Sequence, residues 1–196
     1  MSEETTTPEW FFSDPEKAAE LVAEARSWFG TRFHFYSRMK GAGVDCVGFC
    51  EEVTAAIGLE RWAFDRKPDD YSRHVERNTI VKLLRGQEHH PAAAILAARW
   101  HEFEVNDHAF TEPPMVGDLV LYRDGNERLG VGVFHMGLMT NDKIFMQCAP
   151  RLNVCEAQID DPTYGDHLFA HFRARAEPSF KPPADPPPIG GHSTGT

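Results

Sequence analysis

The residue of this sequence best suited to chemistry is Cys46, because it begins a helical pattern directly after the glycine-containing segment 41–45. Asp45 is a typical N-cap for that helix, and Gly58 is a typical stop. At the first turn of a helix, unpaired N–H groups and the helix dipole favour negative charge, so the pKa of a thiol there falls below its ordinary value of about 8.5. The sequence therefore predicts a nucleophilic thiolate at Cys46.

The other residues of this helix are expected to be structural. Apolar residues recur at a spacing that predicts one buried face, formed by Cys46, Phe49, Cys50, Val53 and Ile57. Cys50 lies one turn away from the helix start, and free cysteine often packs as a small hydrophobic residue. The four cysteines of the chain show no spacing typical of a disulfide framework, so we expect free thiols.

A nucleophilic thiol needs a base, and His135 is the best candidate downstream. Three segments of strand-like composition, separated by short turns, predict an antiparallel meander at 116–122, 131–139 and 143–148. His135 lies in the middle strand, and Gly137 follows on the same face, where a missing side chain leaves room for another group to approach the imidazole. Together with Cys46, His135 predicts a pair in which the imidazole takes the thiol proton.

Four blocks of the chain match a known pattern in order and with the right intervals: Ala25–Phe33, Val44–Phe49, Gly117–Val120 and Phe134–Leu138. They resemble the lead-in helix with its G-T-P-Y turn, the D-C-S-G-F block, the G-D-L strand and the H-V-G-I strand of the NlpC/P60 cysteine peptidases, particularly the phage-tail-associated branch. The resemblance covers most of residues 17–175. It implies a papain-like α+β fold with N-terminal helices packed on a small antiparallel sheet, and it makes Cys46 the nucleophile and His135 the base.

The third polar residue of that family, which orients the histidine, falls here at Gln147. Strand side chains alternate between faces, so His135 and Gln147 share a face only if the loop between them has an odd number of residues, such as 140–142. A two-residue turn at 141–142 would instead place Cys148 across from His135 and make it a competing thiol. The alternative role for Gln147 is that of an ordinary strand amide.

The same resemblance implies that substrate contacts come from Asp45, Phe33, Tyr36 and Val47. Phe33 stands where the family carries a tyrosine, so any hydrogen bond of that hydroxyl is missing or comes from Tyr36. Val47 replaces a serine in the segment that helps to hold the amino end of a peptidoglycan stem peptide. The chemistry is therefore expected to be retained, while the peptide preference does not carry over.

Length and composition predict one catalytic domain between two tails. A chain of 196 residues with 41% hydrophobic residues is long enough for one sizeable core. We expect a flexible acidic N-terminus at 1–13, a catalytic domain at 14–176 and a disordered tail rich in Pro and Gly at 177–196. The first helix is expected to begin at Asp14-Pro15, with an inner stripe of Leu21, Val22, Ala25, Trp28 and Phe29.

A helical insertion at about 59–114 is expected between the cysteine helix and the sheet. It contains two predicted helices, 72–85 and 91–103, and such an insertion typically walls one side of a substrate groove. The pair His89-His90 and the single His101 also lie there, but no metal-binding spacing accompanies them. We therefore expect neither a metal nor a cofactor.

Charge and the N-terminal sequence limit the partners. The net charge of −10 argues against nucleic acid and against free adhesion to an anionic cell wall. The acidic N-terminus carries no apolar run, so we expect no signal peptide, no membrane span and synthesis in the cytoplasm.

The resemblance implies a D-glutamyl-diamino acid endopeptidase that acts on peptidoglycan stem peptides. It also implies phage tail proteins as partners and the virion tail as the location of the enzyme. Two other classes stay open on the same fold. One is a non-hydrolytic tail-assembly or inhibitor-binding protein, and the other is an acyltransferase or deamidase that uses the same Cys–His pair.

Overall fold

The computed structural model describes residues 9–62, 79–87, 91–106, 109–123, 133–165 and 167–178. A 3-10 helix at Phe11–Ser13 precedes five α-helices in these ranges: α1 Pro15–Ser27, α2 Cys46–Ala56, α3 Thr79–Leu84, α4 Pro91–Arg99 and α5 Pro162–Gly165. The strands are β1 Arg38–Met39, β2 Gly43–Val44, β3 Trp100–Asn106, β4 Ala109–Phe110, β5 Leu119–Arg123, β6 Val133–Met139, β7 Ile144–Ala149, β8 Asn153–Gln158 and β9 Leu168–Ala174.

Seven of these strands form one antiparallel sheet in the order β4-β3-β9-β5-β6-β7-β8, and β1 pairs separately with β2. The main hydrophobic core lies between one face of the sheet and the helices, with α2 packed across β6 and β7. A second, smaller cluster covers the other face around Tyr122, Phe145 and Leu168. The described part is therefore an α+β arrangement with two separately packed sheet faces.

The helix α1 begins as its sequence predicts. The Asp14 carboxylate accepts a hydrogen bond from the backbone N–H of Glu16 at 2.9 Å, and Pro15 occupies the first helical position. Leu21 and Ala25 of the predicted inner stripe are fully buried.

Phe29 breaks the expected stripe, because its side chain is 65% exposed. The helix ends at Ser27 and Trp28 is its C-cap, so Phe29 no longer follows helical spacing. None of the helices in the described ranges has the length and apolar character needed to cross a bilayer.

The predicted meander forms as β5, β6 and β7, but the sheet is larger than the sequence indicated. Strand β8 pairs with β7, β9 pairs with β5, and β3 pairs with β9.

The prediction of a helix at 91–103 is wrong at its end, because α4 stops at Arg99 and β3 begins at Trp100. The segment 102–105 alternates polar with apolar residues, a period of two that belongs to a strand. The rest of the expected insertion contains α3, which covers the end of the predicted helix 72–85, while 63–78 lies outside the described residues.

The N-terminal boundary also needs correction. We expected residues 1–13 to be flexible, but Phe11 and Phe12 are buried in the main core, and Trp10 forms a β-bridge with Arg175. The Phe12 ring occupies the space over Gly117, where a Cβ would lie 2.1 Å from the ring. The domain therefore begins by residue 10, because aromatic side chains placed before the first helix complete its core.

A buried ion pair joins Asp118, the residue before β5, to Arg173 of β9. The Arg173 guanidinium donates to both carboxylate oxygens of Asp118, from Nε at 2.9 Å and from Nη2 at 2.8 Å. Burial raises the pKa of the fully buried Asp118 to about 6, so the carboxylate remains ionised at neutral pH. A buried bidentate pair of this kind leaves an uncompensated charge if either partner is removed.

We predict that Asp118→Asn lowers the free energy of unfolding by about 3 kcal/mol, because Arg173 then loses its carboxylate inside the core. Urea unfolding monitored by circular dichroism measures the change. The matched control is Glu156→Gln, which breaks the largely exposed pair with Arg26 at 3.2 Å and should cost less than about 1 kcal/mol. Equal losses for the two variants would contradict a special role for the buried pair.

Candidate active site

Cys46 is the first residue of α2, and its side chain is partly buried against the main core. The remaining predicted face of the helix is buried, with Phe49, Cys50 and Val53 fully enclosed. Gly58 follows the helix end with φ +98°, the left-handed conformation expected of a helix stop. The structure therefore gives the candidate nucleophile the predicted location at a helix start.

Asp45 joins the helix start to the preceding loop. Its side chain is 2% exposed, and Oδ1 accepts from the N–H of Gly48 at 2.7 Å while Oδ2 accepts from the N–H of Tyr36 at 3.0 Å. Tyr36 has φ +63°, which non-glycine residues adopt rarely, and the bond to Asp45 offsets that strain. The Asp45 carboxylate thus caps the helix that begins with Cys46 and holds the preceding loop at Tyr36.

His135 and Gln147 are in direct contact. His135 Nε2 lies 2.5 Å from Gln147 Oε1. Strands β6 and β7 pair Gly137 with Gln147 and Met139 with Phe145, which is the register of an odd loop. His135 and Gln147 therefore stand diagonally on one face instead of directly opposite each other, and the even-turn register is not formed.

The start of α2 and the His135–Gln147 pair lie at the same end of the same two strands. The Cys148 thiol lies 3.1 Å from the carbonyl oxygen of Val44, two residues before Cys46, and Cys148 is the chain neighbour of Gln147. The start of α2 and the His135–Gln147 pair lie on different faces of the sheet. On the face toward α2, the main core contains Met136, Leu138, Met146 and Cys148. The side chains of His135 and Gln147 point to the other face, beside the second cluster.

Cys148 has the properties of a structural thiol. Its side chain is fully buried, and burial raises its pKa to about 12, with further contributions from the charges of Cys46 and Asp45. A thiol with so high a pKa forms almost no thiolate at neutral pH. Cys148 is therefore a poor nucleophile, although it lies close to Cys46.

Gly137 has a different role from the one we predicted. A Cβ at this position would lie 2.4 Å from Cδ2 of Phe145, so the missing side chain accommodates that ring. The expectation that Gly137 leaves space for a group to approach the imidazole is corrected accordingly. Phe145 in turn belongs to the second cluster beside the histidine.

The surroundings of His135 keep its imidazole neutral. Burial lowers the pKa of His135 to about 4, and the hydrogen bond with Gln147 offsets only part of that shift. The ring of Tyr122 lies beside it, with centroids 6.3 Å apart. At neutral pH the imidazole can therefore accept a proton, but it supplies no positive charge to a resting thiolate.

Tyr164 is a site residue that the sequence reasoning missed. The Gln147 Nε2 donates a hydrogen bond to the Tyr164 hydroxyl at 2.6 Å, so the amide is held at both ends. Tyr164 lies on α5, which begins at Asp161-Pro162, and the Asp161 carboxylate accepts from the N–H of Thr163 at 2.8 Å. The available signal was this Asp-Pro pair, which repeats the helix start seen at residues 14 and 15.

No protein-family profile matches the sequence, and no curated protein matches it either. Solved structures do match. A protein of Staphylococcus aureus subsp. aureus Mu50, described as similar to lipoprotein of the NLP/P60 family, is 16% identical with a TM-score of 0.51, over 86% of this chain and 44% of that one. An NlpC/P60 family protein of Bacillus cereus ATCC 10987 is 15% identical with a TM-score of 0.46, over 79% of this chain and 39% of that one.

The fold is similar to that of NlpC/P60 proteins. This chain spans less than half the length of either solved structure, so the likeness concerns the arrangement of helices and sheet. It agrees with the papain-like α+β fold implied by the four sequence blocks. The resemblance to the phage-tail-associated branch stays a prediction. So does the role of the insertion as one wall of a substrate groove.

Two of the residues expected to contact substrate in an NlpC/P60-like site are available near the surface. Phe33 and Tyr36 are partly buried, and the exposed ring of Phe35 packs between them, with centroids 4.8 Å and 5.9 Å away. Val47 is fully buried in the main core and is not available for direct contact. The Asp45 carboxylate binds backbone N–H groups, so its substrate contact stays a prediction.

Metal-binding geometry is missing from the part of the chain that the structure describes. No group of three or more His, Cys, Asp or Glu side chains comes together there. His101 instead has its Nδ1 2.7 Å from Nη2 of Arg175. His89 and His90 lie outside the described residues.

We predict that iodoacetamide labels Cys46 before the other three cysteines near neutral pH. Cys50 and Cys148 are fully buried, and burial raises the pKa of the partly exposed Cys155. Peptide mapping of singly alkylated protein identifies the labelled residue, and the urea-unfolded chain, in which all four thiols react, is the control. First labelling of Cys148 or Cys155 would sink the assignment of Cys46.

We predict that His135 titrates with a midpoint near pH 4 in the folded protein, well below the value of about 6.5 expected in the unfolded chain. NMR titration of the imidazole measures this, with the His135→Gln variant identifying the resonance. In Gln147→Glu the midpoint should rise, because a carboxylate favours the imidazolium. A wild-type midpoint near 6.5 would show that the imidazole is not desolvated.

Proposed function

We propose that this protein is a cysteine peptidase that hydrolyses an amide bond of peptidoglycan stem peptides. The observation that carries the proposal is the location of two arrangements at the same end of β6 and β7, which they approach from different faces of the sheet. One is a cysteine at a capped helix start, and the other is a histidine bonded to a side-chain amide. The NlpC/P60-like fold supports the reaction class, and the match of Val44–Phe49 to the family's cysteine block supports Cys46 as its nucleophile.

In the proposed reaction the Cys46 sulfur attacks the amide carbonyl carbon and His135 takes the thiol proton. The N–H of Cys46 at the helix start helps to hold the developing oxyanion. His135 then returns the proton to the leaving amine as the C–N bond breaks, which leaves an acyl group on the sulfur. A water molecule, deprotonated by His135, hydrolyses this thioester and releases the thiol.

Gln147 is the proposed orienting residue. Its amide oxygen faces His135 Nε2, which leaves Nδ1 as the ring nitrogen available to the thiol. A neutral amide orients the ring but stabilises the imidazolium less than a carboxylate would. The contribution of Gln147 to turnover should therefore be smaller than that of His135.

The proposed scissile bond is the D-glutamyl to diamino-acid link, which the resemblance to the family supports. Delivery to the wall by a phage tail is part of the same proposal. The net charge of −10 gives the chain little attraction to an anionic wall polymer, so a carrier would bring the enzyme to its substrate.

We predict that purified protein cleaves soluble muropeptides and that Cys46→Ala and His135→Ala abolish measurable turnover. Gln147→Ala should retain activity lowered by about tenfold to a hundredfold, because orienting a base contributes less than supplying one. Mass spectrometry of the reaction products identifies the broken bond.

Cys50→Ala is the matched control, since it removes a sulfur from the same helix face away from the helix start. It should keep its turnover. Transfer of the acyl group to an added amine in preference to water would favour an acyltransferase. Absence of turnover on every muropeptide, with Cys46 still alkylatable, would favour a binding protein on this fold.

A further inference from the structure

Four large apolar side chains stand exposed in the segments beside the start of α2. We call them the apolar patch; each is between 52% and 66% exposed, and they are Phe29, Phe35, Met39 and Leu152. The other exposed large apolar side chain in the described part of the chain is Ile95, on α4. Single exposed apolar residues are ordinary, whereas a group of them indicates an interaction surface.

Backbone hydrogen bonds hold two of the contributing segments together. The N–H of Gly30 donates to the carbonyl oxygen of Val154 at 2.9 Å, and the N–H of Val154 donates to that of Thr31 at 2.8 Å. The loop after α1, which begins at Phe29, therefore lies against the β7–β8 turn, which carries Leu152.

The same loop also contacts β2. The N–H of Val44 donates to the carbonyl oxygen of Arg32 at 3.0 Å, and β1, which carries Met39, pairs with β2. Within the loop, the ring of Phe35 packs edge-on against Phe33, with centroids 4.8 Å apart. The residues of the apolar patch thus come from segments in direct contact with one another.

The turn that carries Leu152 keeps this side chain on the surface. Arg151 and Asn153, on either side of it, have φ +72° and φ +59°, a left-handed conformation that costs free energy for residues other than glycine. The Asn153 side chain also accepts a hydrogen bond from the N–H of Phe33 at 3.3 Å. The exposure of Leu152 therefore belongs to a defined turn.

The charge around the apolar patch is opposite to that of the whole chain. The net charge is −10, yet residues 25–44 contain no Asp or Glu, and their cations are Arg26, Arg32, Arg38 and Lys40. Carboxylates from outside this segment pair with Arg26, Arg38 and Lys40. Arg32 and Arg151 are exposed and form no ion pair within the described residues. The charge left over beside the apolar patch is positive.

An anionic lipid bilayer matches both properties of this surface. Its acyl boundary can take up exposed Phe, Met and Leu side chains, and its headgroups attract arginine. An anionic wall polymer offers the charge without an apolar phase. The acidic remainder of the chain is repelled by the same bilayer, which orients the apolar patch toward it.

We propose that the apolar patch, together with Arg32 and Arg151, is a peripheral binding surface for an anionic lipid bilayer. Binding there brings the start of α2, with Cys46, to the membrane face. This inference goes beyond the proposed function and does not require turnover, so the two can fail separately.

The test is co-sedimentation of the full chain with vesicles of equal parts phosphatidylglycerol and phosphatidylcholine at low ionic strength. Binding should be at least about tenfold weaker to vesicles of phosphatidylcholine alone, and added salt should weaken it. Phe35→Ser combined with Leu152→Ser should weaken binding by about tenfold or more, and so should Arg32→Gln combined with Arg151→Gln.

The matched controls remove similar groups outside the apolar patch. Ile95→Ser removes the exposed apolar side chain of α4. Arg61→Gln combined with Lys143→Gln removes two exposed positive charges, one after the end of α2 and the other before β7. Both controls should bind the vesicles as the wild type does.

Hydrogen exchange of the wild type gives a second measurement that needs no variant. Addition of the anionic vesicles should protect peptides covering 29–40 and 149–153 and leave α4 unchanged. Absence of binding, equal loss in the controls, or protection elsewhere would overturn the proposal. So would binding to isolated cell-wall sacculi without binding to vesicles, which would assign the surface to a wall polymer, and self-association through the apolar patch, which would assign it to a second copy.

Discussion

The register of the β6–β7 hairpin is the constraint on which the rest of the site depends. The Asn141 side chain closes its turn by accepting two backbone N–H groups, each at 2.7 Å. Because strand side chains alternate, a slip of one residue between β6 and β7 would bring Cys148 to the face of His135 and turn Gln147 toward α2. That slip would bury the Gln147 amide against an apolar core, which is costly without partners. The apolar pattern and the polar pair therefore specify the same register.

The Asp45 carboxylate is the second constraint, and it acts on the opposite side of the site. By accepting from Gly48 and Tyr36, it makes the start of α2 and the loop before it a single unit. The Cys148 thiol contacts that unit at the carbonyl oxygen of Val44. On β7, Cys148 therefore contacts the segment that leads to Cys46, and its neighbour Gln147 contacts His135. Adjacent residues on one strand thus hold the two halves of the site from opposite faces of the sheet.

The sequence predicts those parts of the site that are determined locally. The helix of Cys46 and its Asp45 cap follow from spacing and capping chemistry, and the parity of the hairpin follows from strand alternation. Contacts between distant segments could not be predicted in this way. The pairing of β3 with β9 could not be predicted, because Trp100 continues the alanine-rich helical pattern before it. Tyr164 contacts Gln147 only because β8 runs antiparallel to β7 and brings the chain back along the sheet. These contacts depend on topology, which short-range periodicity does not specify.

The electrostatics of the histidine determine how such a site could start its reaction. With the pKa of His135 lowered to about 4 by burial, an imidazolium is rare at neutral pH, and a neutral amide at Gln147 does little to restore it. A neutral imidazole supplies no charge to a thiolate, so any lowering of the thiol pKa of Cys46 has to come from the helix start. The N–H groups there would stabilise both the charge on the sulfur and the developing oxyanion. In this arrangement the orientation of the His135 ring matters more than a standing ion pair, because the ring contributes only when it takes the proton.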